Sequence, residues 1–252
     1  MDDCLILEVT ESTNSVAHQL AGDGAAHGYA VLARAQTNGR GRLGRSWVSL
    51  PGLGLYCTII LRPVLDLVEY PKLTLAVGVA VAEVLAGFGL APQLKWPNDI
   101  FLSGRKCGGI LLESSALQQG SVDNYVLVGI GLNISGGAKD LITLAPQAIS
   151  LCAASDGRDF EVEQVFSAIR ESVLRLVALF ERSGFAEILV RWQERDFLKG
   201  QRAQWLRGDG QVIEGVAEGI DGQGQLRVRS DDGVIHPVIS GDVSLVLPDS
   251  LP

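Results

Sequence analysis

"QTNGRGRLGRSW", residues 36–47, is the stretch on which the reading of this chain turns. Gly39, Gly41 and Gly44 have the G-x-G-x-x-G spacing of a dinucleotide-binding turn. Gly39 to Ser46 also has the outline of a P-loop, with Arg45 where the lysine belongs. Both motifs hold phosphate at the N-terminus of a helix that begins at once. Here "VSLPGLGLY" follows, and Pro51-Gly52 stand in the way of a helix. That context favours neither motif. What remains is a flexible loop of interleaved glycine and arginine. Glycine lets the backbone come close to a ligand, and guanidinium forks grip carboxylate or phosphate oxygens in pairs. The plain alternative is a solvated basic loop. It is weakened by finding Arg40, Arg42 and Arg45 within six residues of a chain whose net charge is −8.

Working outward, "YAVLARAQ" (29–36) reads as a strand feeding the loop, and "LGLYCTIILRP" (53–63) as a strand leaving it. A helix is expected over 13–21, with Ser12 or Thr13 as its cap and Gly22-Asp23-Gly24 as its stop. Residues 71–88 form a long apolar helix that starts at Pro71 and ends near Gly87 and Gly89. Glu83 interrupts the apolar run and Lys72 lies at its start, which makes it a buried core helix rather than a membrane span.

"QLKWPNDIFL" (93–102) and "KCGGILLES" (106–114) flank a Ser103-Gly104-Arg105 turn, and "YVLVGIGLNIS" (125–135) adds a third strand of a meander. Apolar residues at i, i+3 and i+4 from Val162 to Phe180 mark a helix over 161–182. A second helix, 185–195, carries Ile188, Leu189 and Trp192 on one face. Beyond residue 199, "AQWLR", "VIEGVAEGI", "QLRVRS", "VIHPVIS" and "DVSLVLP" alternate with "GDG", "DGQG" and "DDG" turns. This pattern indicates a small β-barrel appended to the main domain. The expected division is therefore 1–198 and 199–252.

The 252 residues suffice for a substantial core. An acidic chain has no bulk electrostatic footprint for nucleic acid or an anionic membrane. Cys4, Cys57, Cys107 and Cys152 include no C-x-x-C pair, and His18, His27 and His236 are isolated, so no metal-ligand spacing is present. Cys57 reads as a small core hydrophobe. The N-terminus has no signal-peptide character, and a cytoplasmic enzyme is expected.

Five blocks in order carry a resemblance that covers nearly the whole chain. They are "ESTN" (11–14), Q-x-x-G-R-G-R-x-G-R-x-W (36–47), "KWPND" (95–99), "GRKCGGILLE" (104–113) and "VGIGLNI" (128–134). Together they resemble the biotin protein ligases, which attach biotin to a lysine of carboxylase carrier domains. The resemblance implies an α+β fold: a mixed, largely antiparallel central sheet with packed helices, of class II synthetase type, plus a C-terminal SH3-like barrel. It also implies a two-step reaction with ATP and Mg²⁺. Biotin's carboxylate attacks the α-phosphate to give biotinyl-5′-AMP and pyrophosphate, and a carrier lysine then displaces AMP.

By the same resemblance, Arg40 and Arg42 sit over the biotin carboxylate and α-phosphate, with Arg45 toward the nucleotide phosphates. Backbone amides near Gly39 and Gly41 complete the cradle, and Lys106 reaches carboxylate and phosphate together. Ser12, Thr13, Asn14 and Gln36 are the biotin-head ligands; a neutral ureido ring needs hydroxyl and amide partners. Trp47 covers the adenine, Asn98 and Asp99 place the triphosphate and its Mg²⁺, and Asp99 orients or deprotonates the carrier lysine. Lys95 is a further anion-site candidate. Asn133 goes to the nucleotide or ribose, and Gly129 and Gly131 leave room for ligand.

Plain alternatives stand beside these assignments: helix capping for Ser12 and Thr13, an edge-strand lysine for Lys106, a core residue for Trp47 and a Pro-Asn-Asp turn for Asn98 and Asp99. Because "ESTN" begins at residue 11, a DNA-binding domain ahead of it is not expected, and no nucleic-acid or membrane partner is. A biotin carboxyl carrier domain is the expected protein substrate, and homodimers through an edge strand are in keeping with the family. Three rivals remain: a lipoate ligase, a non-catalytic biotin- or nucleotide-binding regulator, and a dinucleotide oxidoreductase, which requires a helix beginning near Ser46.

Overall fold

The computed structural model describes residues 3–115, 124–136, 147–206, 211–239, 241 and 243–245. Seven strands make the main sheet: β1 (Cys4–Thr10), β2 (Ala30–Gln36), β3 (Gly54–Leu61), β4 (Pro92–Lys95), β5 (Asp99–Leu102), β6 (Arg105–Ser114) and β7 (Val126–Asn133). Their order is β1-β2-β3-β7-β6-β5-β4. Only β1 and β2 are parallel, so the sheet is mixed and mainly antiparallel.

Among the described residues five α-helices accompany it: α1 (Thr13–Gly22), α2 (Tyr70–Gly87), α3 (Leu151–Ala154), α4 (Val162–Ser183) and α5 (Ala186–Gln193). The helix expected over 71–88 is α2, with Pro71 in its first turn and 12 of its 18 residues buried. It packs against the sheet, α4 and α5, which makes it the core helix of the fold.

The two faces of the sheet differ, and β3 shows how. Every residue of β3 is buried. Leu55, Cys57, Ile59 and Leu61 point into the large core shared with α2 and α4. Ile60 instead joins a small cluster with Ala17 and Ala21 of α1, and Thr58 hydrogen-bonds Asn14 at its start. Strand β7 alternates in the same way, with Val126, Val128, Ile130 and Leu132 in the large core and Leu127 in the α1 cluster. The α1 face is thus the one with polar groups and space.

The expected strand over 93–102 divides in two. Lys95 pairs with Asp99, and Trp96-Pro97-Asn98 make the reversal of a β4–β5 hairpin. Proline has no N–H to continue a ladder, which is why the run breaks there. The next reversal uses Ser103 and Gly104, both left-handed at φ 49° and 71°, the conformation of a two-residue hairpin turn.

The C-terminal strands β8 (Arg202–Leu206), β9 (Val212–Ile220), β10 (Leu226–Arg229), β11 (Ile235–Val238) and β12 (Val243–Leu245) form an antiparallel sheet in the order β11-β10-β9-β8-β12. The "GDG" turn at 208–210 and the end of "DVSLVLP" lie outside the described residues. Ala203, Ala217, Ile220, Leu226 and Val228 join the large core. The Trp96 indole N–H donates to the Gly224 carbonyl at 3.0 Å, so the β4–β5 hairpin is anchored on the second sheet.

Candidate active site

Strand β2 ends at Gln36, and the glycine-arginine loop runs from there to β3. The loop folds on itself: the Gly41 amide donates to the Arg45 carbonyl (2.7 Å) and the Trp47 amide to the Gly39 carbonyl (2.8 Å). A single 3-10 turn, Arg42–Gly44, carries Leu43 at φ 56°. No helix begins near Ser46; the chain passes into β3, so the helix that an oxidoreductase glycine turn or a P-loop requires is not there. One expectation changes in consequence. The Gly41 amide is committed within the loop, and in this conformation it completes no anion cradle.

Beneath the loop lies a floor of neutral groups. Gln36 Oε1 accepts from the Thr13 amide (2.8 Å) and hydroxyl (3.1 Å), and Gln36 Nε2 donates to Ser49 Oγ (2.8 Å). The Thr58 hydroxyl donates to Asn14 Oδ1 at 2.6 Å and stands 2.8 Å from Thr13 Oγ1. Ser12, Thr13, Asn14, Ser49 and Thr58 are all buried. Ser12 occupies the cap position of α1, yet its side chain makes no cap hydrogen bond and lines the cavity instead. The capping alternative therefore fails for Ser12.

Two arginines of the loop are tied to the sheet. Arg40 Nη2 donates to Glu113 Oε2 (2.9 Å), which also accepts from Asn14 Nδ2 (2.7 Å). Arg42 Nη1 donates to Asn98 Oδ1 (3.0 Å), and Asn98 Nδ2 donates in turn to the Ile110 carbonyl (2.9 Å). Asn98 thus holds Arg42 with both ends of its amide engaged. Gly39 is buried and does not line the cavity; a Cβ added there would come within 2.8 Å of Ser49 Oγ and 3.0 Å of Gln36 Nε2.

Lys106 stands at the centre. Its Nζ donates to Asp99 Oδ1 at 2.6 Å and lies 5.7 Å from the centre of the Trp47 ring. Strand β6 is interior: Lys106 pairs with Phe101 of β5, and its own amide and carbonyl bond Gln147 and Ile149. The edge-strand alternative fails on that pairing.

Trp47 lies against Gly131, where an added Cβ would come within 2.6 Å of the indole. An added Cβ at Gly129 would come within 2.5 Å of Asn14 Oδ1. These glycines were expected to make room for ligand. What each makes room for first is a protein side chain, because both sit on the face of β7 that α1 and the loop cover.

Two cavities adjoin here. One is lined by Ser12, Thr13, Asn14, Gln36, Arg40, Arg42 and Asn98, and the other by Leu50, Tyr56, Lys95, Phe101 and Asn133. Arg45, Ser46, Trp47, Asp99 and Lys106 line both. Asn133 belongs to the second cavity alone, and its amide donates to the Ile149 carbonyl. Burial pushes the Tyr56 phenol up to about 12, against the Leu50 carbonyl that accepts from it, so it stays a neutral donor. Cys57 lines the first cavity, but burial raises its thiol far above the ordinary range, which rules it out as a thiolate nucleophile.

No cluster of three His, Cys, Asp or Glu suited to a metal ion occurs among the described residues. Asp99 is a single carboxylate already paired with an ammonium. That donor set fits a cation arriving with a triphosphate, which needs one or two carboxylates beside phosphate oxygens and water, and does not fit a resident metal.

Sequence reasoning missed Thr58, Glu113 and Ser49. Glu113 closes the "GRKCGGILLE" block and could have been found as its one acidic residue. Thr58 is the one aliphatic hydroxyl in an otherwise largely apolar run, a weak signal.

The model of the biotin/lipoate A/B protein ligase family matches residues 6–133, and that of the biotin protein ligase C-terminal domain matches residues 200–246. The chain is 36% identical over 242 residues to the bifunctional ligase/repressor BirA of Bacillus spizizenii, spanning 94% of this chain and 72% of that one. It is 34% identical over 234 residues to the biotin–[acetyl-CoA-carboxylase] ligase of Paracoccus denitrificans, spanning 90% and 95%. Among solved structures, a biotin protein ligase from Aquifex aeolicus in complex with biotin and ATP matches with a TM-score of 0.81 at 28% identity, over 98% of this chain and 99% of that one.

Proposed function

The chain belongs to the biotin/lipoate A/B protein ligase family, and on that premise we propose which of its groups carry out the family's reaction. It is an ATP-dependent ligase that activates biotin as biotinyl-5′-AMP and transfers it to a carrier lysine. The observation that carries the assignment is the meeting of the two cavities at Lys106 and Trp47. A mixed anhydride must form where an acid pocket and a nucleotide pocket touch, and these residues line both.

The neutral floor of Ser12, Thr13, Asn14 and Gln36 takes the ureido ring of biotin, with Asn14 and Gln36 held in place by Thr58 and Ser49. Biotin's carboxylate points toward Lys106. The nucleotide occupies the second cavity, its base against Trp47 and its sugar toward Asn133.

Attack of the carboxylate oxygen on the α-phosphorus expels pyrophosphate. Two anions approach one another in this step, so positive charge dominates the catalysis. Arg42 leaves Asn98 and Lys106 leaves Asp99 to meet the α-phosphate, and Arg45 serves the departing phosphates. Mg²⁺ enters as part of the Mg–ATP substrate. In the second step the carrier lysine attacks the acyl carbon and AMP leaves. Asp99, freed from Lys106, accepts the proton that the incoming amine must lose.

We take residues 1–198 as the catalytic unit and 199–252 as a C-terminal unit that braces the β4–β5 hairpin through Gly224. We place the enzyme in the cytoplasm, where its carrier substrate is made.

A mass-spectrometric transfer assay tests the reading. Purified protein, Mg–ATP and an apo-carrier domain are incubated with biotin or with lipoate. A biotin-sized gain on the carrier, absent without ATP, is the expected result. A gain with lipoate alone would overturn the substrate assignment, and no gain with either would overturn the activity.

A further inference from the structure

Resting on this reading of the site, we infer that Glu113 is a positioning residue that ties the biotin-head floor to closure of the arginine loop. One atom does both jobs. Glu113 Oε2 accepts from Asn14 Nδ2 at 2.7 Å, on the floor side, and from Arg40 Nη2 at 2.9 Å, on the loop side.

The floor end of this link has no freedom. Asn14 Oδ1 is fixed by the buried Thr58 hydroxyl, and it lies so close to Gly129 that a Cβ there would come within 2.5 Å of it. Asn14 Nδ2 must then face Glu113. Glu113 itself projects from β6, paired with Leu127 of β7 in the interior of the sheet, so its backbone does not move with the loop.

The loop end is of the opposite kind. The Arg40–Glu113 pair is 42% and 35% exposed at its two side chains, and exposed pairs are weak and readily broken. A latch that must open for each substrate needs that weakness. Arg40 and Arg42 are two residues apart on the same loop, and each is tied to the sheet, Arg40 to Glu113 and Arg42 to Asn98. When Arg42 turns to the α-phosphate it gives up Asn98. The Arg40–Glu113 contact then keeps the loop down over the reacting groups, and water is kept from the acyl-adenylate.

Because Asn14 and Arg40 share one acceptor atom and Asn14 is fixed, the floor sets the position that Arg40 must reach. The latch is therefore set by the floor, whose geometry does not change when the loop moves.

Glu113→Gln separates the two jobs. An amide oxygen still accepts from Asn14, but the charge that holds Arg40 is gone. The experiment measures pyrophosphate released per carrier biotinylated, together with the biotin KM and the melting temperature, in wild type, Glu113→Gln, Glu113→Ala, Arg40→Ala and the Glu113→Gln/Arg40→Ala double variant.

The expected result is excess pyrophosphate in both Glu113→Gln and Arg40→Ala, by about two- to fivefold, the scale of an exposed ion pair. The double variant should leak no more than the worse single, because both remove the same contact. Glu113→Gln should keep its biotin KM, and Glu113→Ala should raise it as Asn14 loses its orienting partner. Melting temperatures should stay unchanged in both Gln and Ala variants. Independent, multiplying leaks in the double variant, or a tight wild-type ratio in Glu113→Gln, would overturn the latch. A wild-type protein that releases no pyrophosphate with biotin would instead overturn the ligase reading beneath it.

Discussion

The floor and the loop of the site are built on opposite principles. The floor is buried, neutral and closed upon itself: Thr13, Asn14, Gln36, Ser49 and Thr58 satisfy one another before any ligand arrives. The loop is exposed, charged and rich in glycine, with Arg40 hydrogen-bonded to Glu113 and Arg42 to Asn98 at the edge of the cavity. The physical reason is the cost of burial. A neutral hydroxyl or amide can be buried cheaply once hydrogen-bonded, but a guanidinium cannot. A site for an uncharged ring can therefore be preformed. A site for phosphates has to keep its charges in water until the phosphates come.

The largest effect expected from this contrast belongs to Arg42. Arg42→Ala removes charge that matters only as two anions meet, so biotin-dependent pyrophosphate exchange should fall on the order of 10²–10³-fold, with the melting temperature unchanged. A loss below tenfold would mean that Arg42 stays with Asn98 throughout.

Next comes the floor. Thr58→Val keeps shape but removes the donor to Asn14 Oδ1, and an unmet buried acceptor should raise the biotin KM by about tenfold or more. The turnover number should change little. A fall in turnover with KM intact would place Thr58 outside the binding floor.

Gly131 tests the seam between the two regions. Gly131→Ala puts a methyl group 2.6 Å from the Trp47 ring, and overpacking of this kind costs about 1–3 kcal/mol. Trp47 should shift and the ATP KM rise severalfold, with the biotin KM less affected. An unchanged ATP KM would remove Trp47 from the nucleotide cavity.

The smallest effect lies away from the site, where the burial rule is broken. Asp196, beside β4, carries a buried Oδ2 with no hydrogen-bond partner, and burial pushes its carboxyl up from 3.8 to about 6 against the Leu198 and Lys199 amides. The native state then keeps a proton that the unfolded chain has lost. The stability this group confers is full below about pH 4 and is lost as pH rises through about 6. Relative to Asp196→Asn, wild type should lose about 1–2 kcal/mol between those limits, after allowance for residual solvent contact. Denaturant titrations at several pH values read this difference. A parallel pair of stability curves would mean that Asp196 is solvated.

The same contrast explains what could be read from the chain. The exposed loop announces itself, because three arginines spaced by glycines have no structural reason to occur together in an acidic protein. Helices α2 and α4 were equally plain: α4 buries a single face, which leaves a 3.6-residue rhythm, and α2, buried nearly all round, is an apolar run bounded by Pro71 and Gly87. The floor was half hidden. Strand β3 is buried on both faces, so its residues show no alternation, and nothing in "LYCTIIL" says that Thr58 faces Asn14 while Cys57 and Ile59 face the core. Glu113 stood out as the one acidic residue of its block, but its role did not: that depends on β6 lying beside β7 and under the loop, a pairing across distant parts of the chain. The β4–β5 reversal was misread because "QLKWPNDIFL" is apolar on both sides of Pro97, and its Trp96 anchor, Gly224, lies in the distant turn between β9 and β10.

We propose that floor and loop divide the work, one recognising biotin and the other activating it. Calorimetric titration of biotin, without ATP, into Thr58→Val and Arg42→Ala tests this directly. Thr58→Val should weaken biotin binding by about tenfold or more, while Arg42→Ala should bind within about threefold of wild type, the range of an exposed charge, although it makes almost no adenylate. Biotin affinity that collapses in Arg42→Ala and survives in Thr58→Val would contradict it.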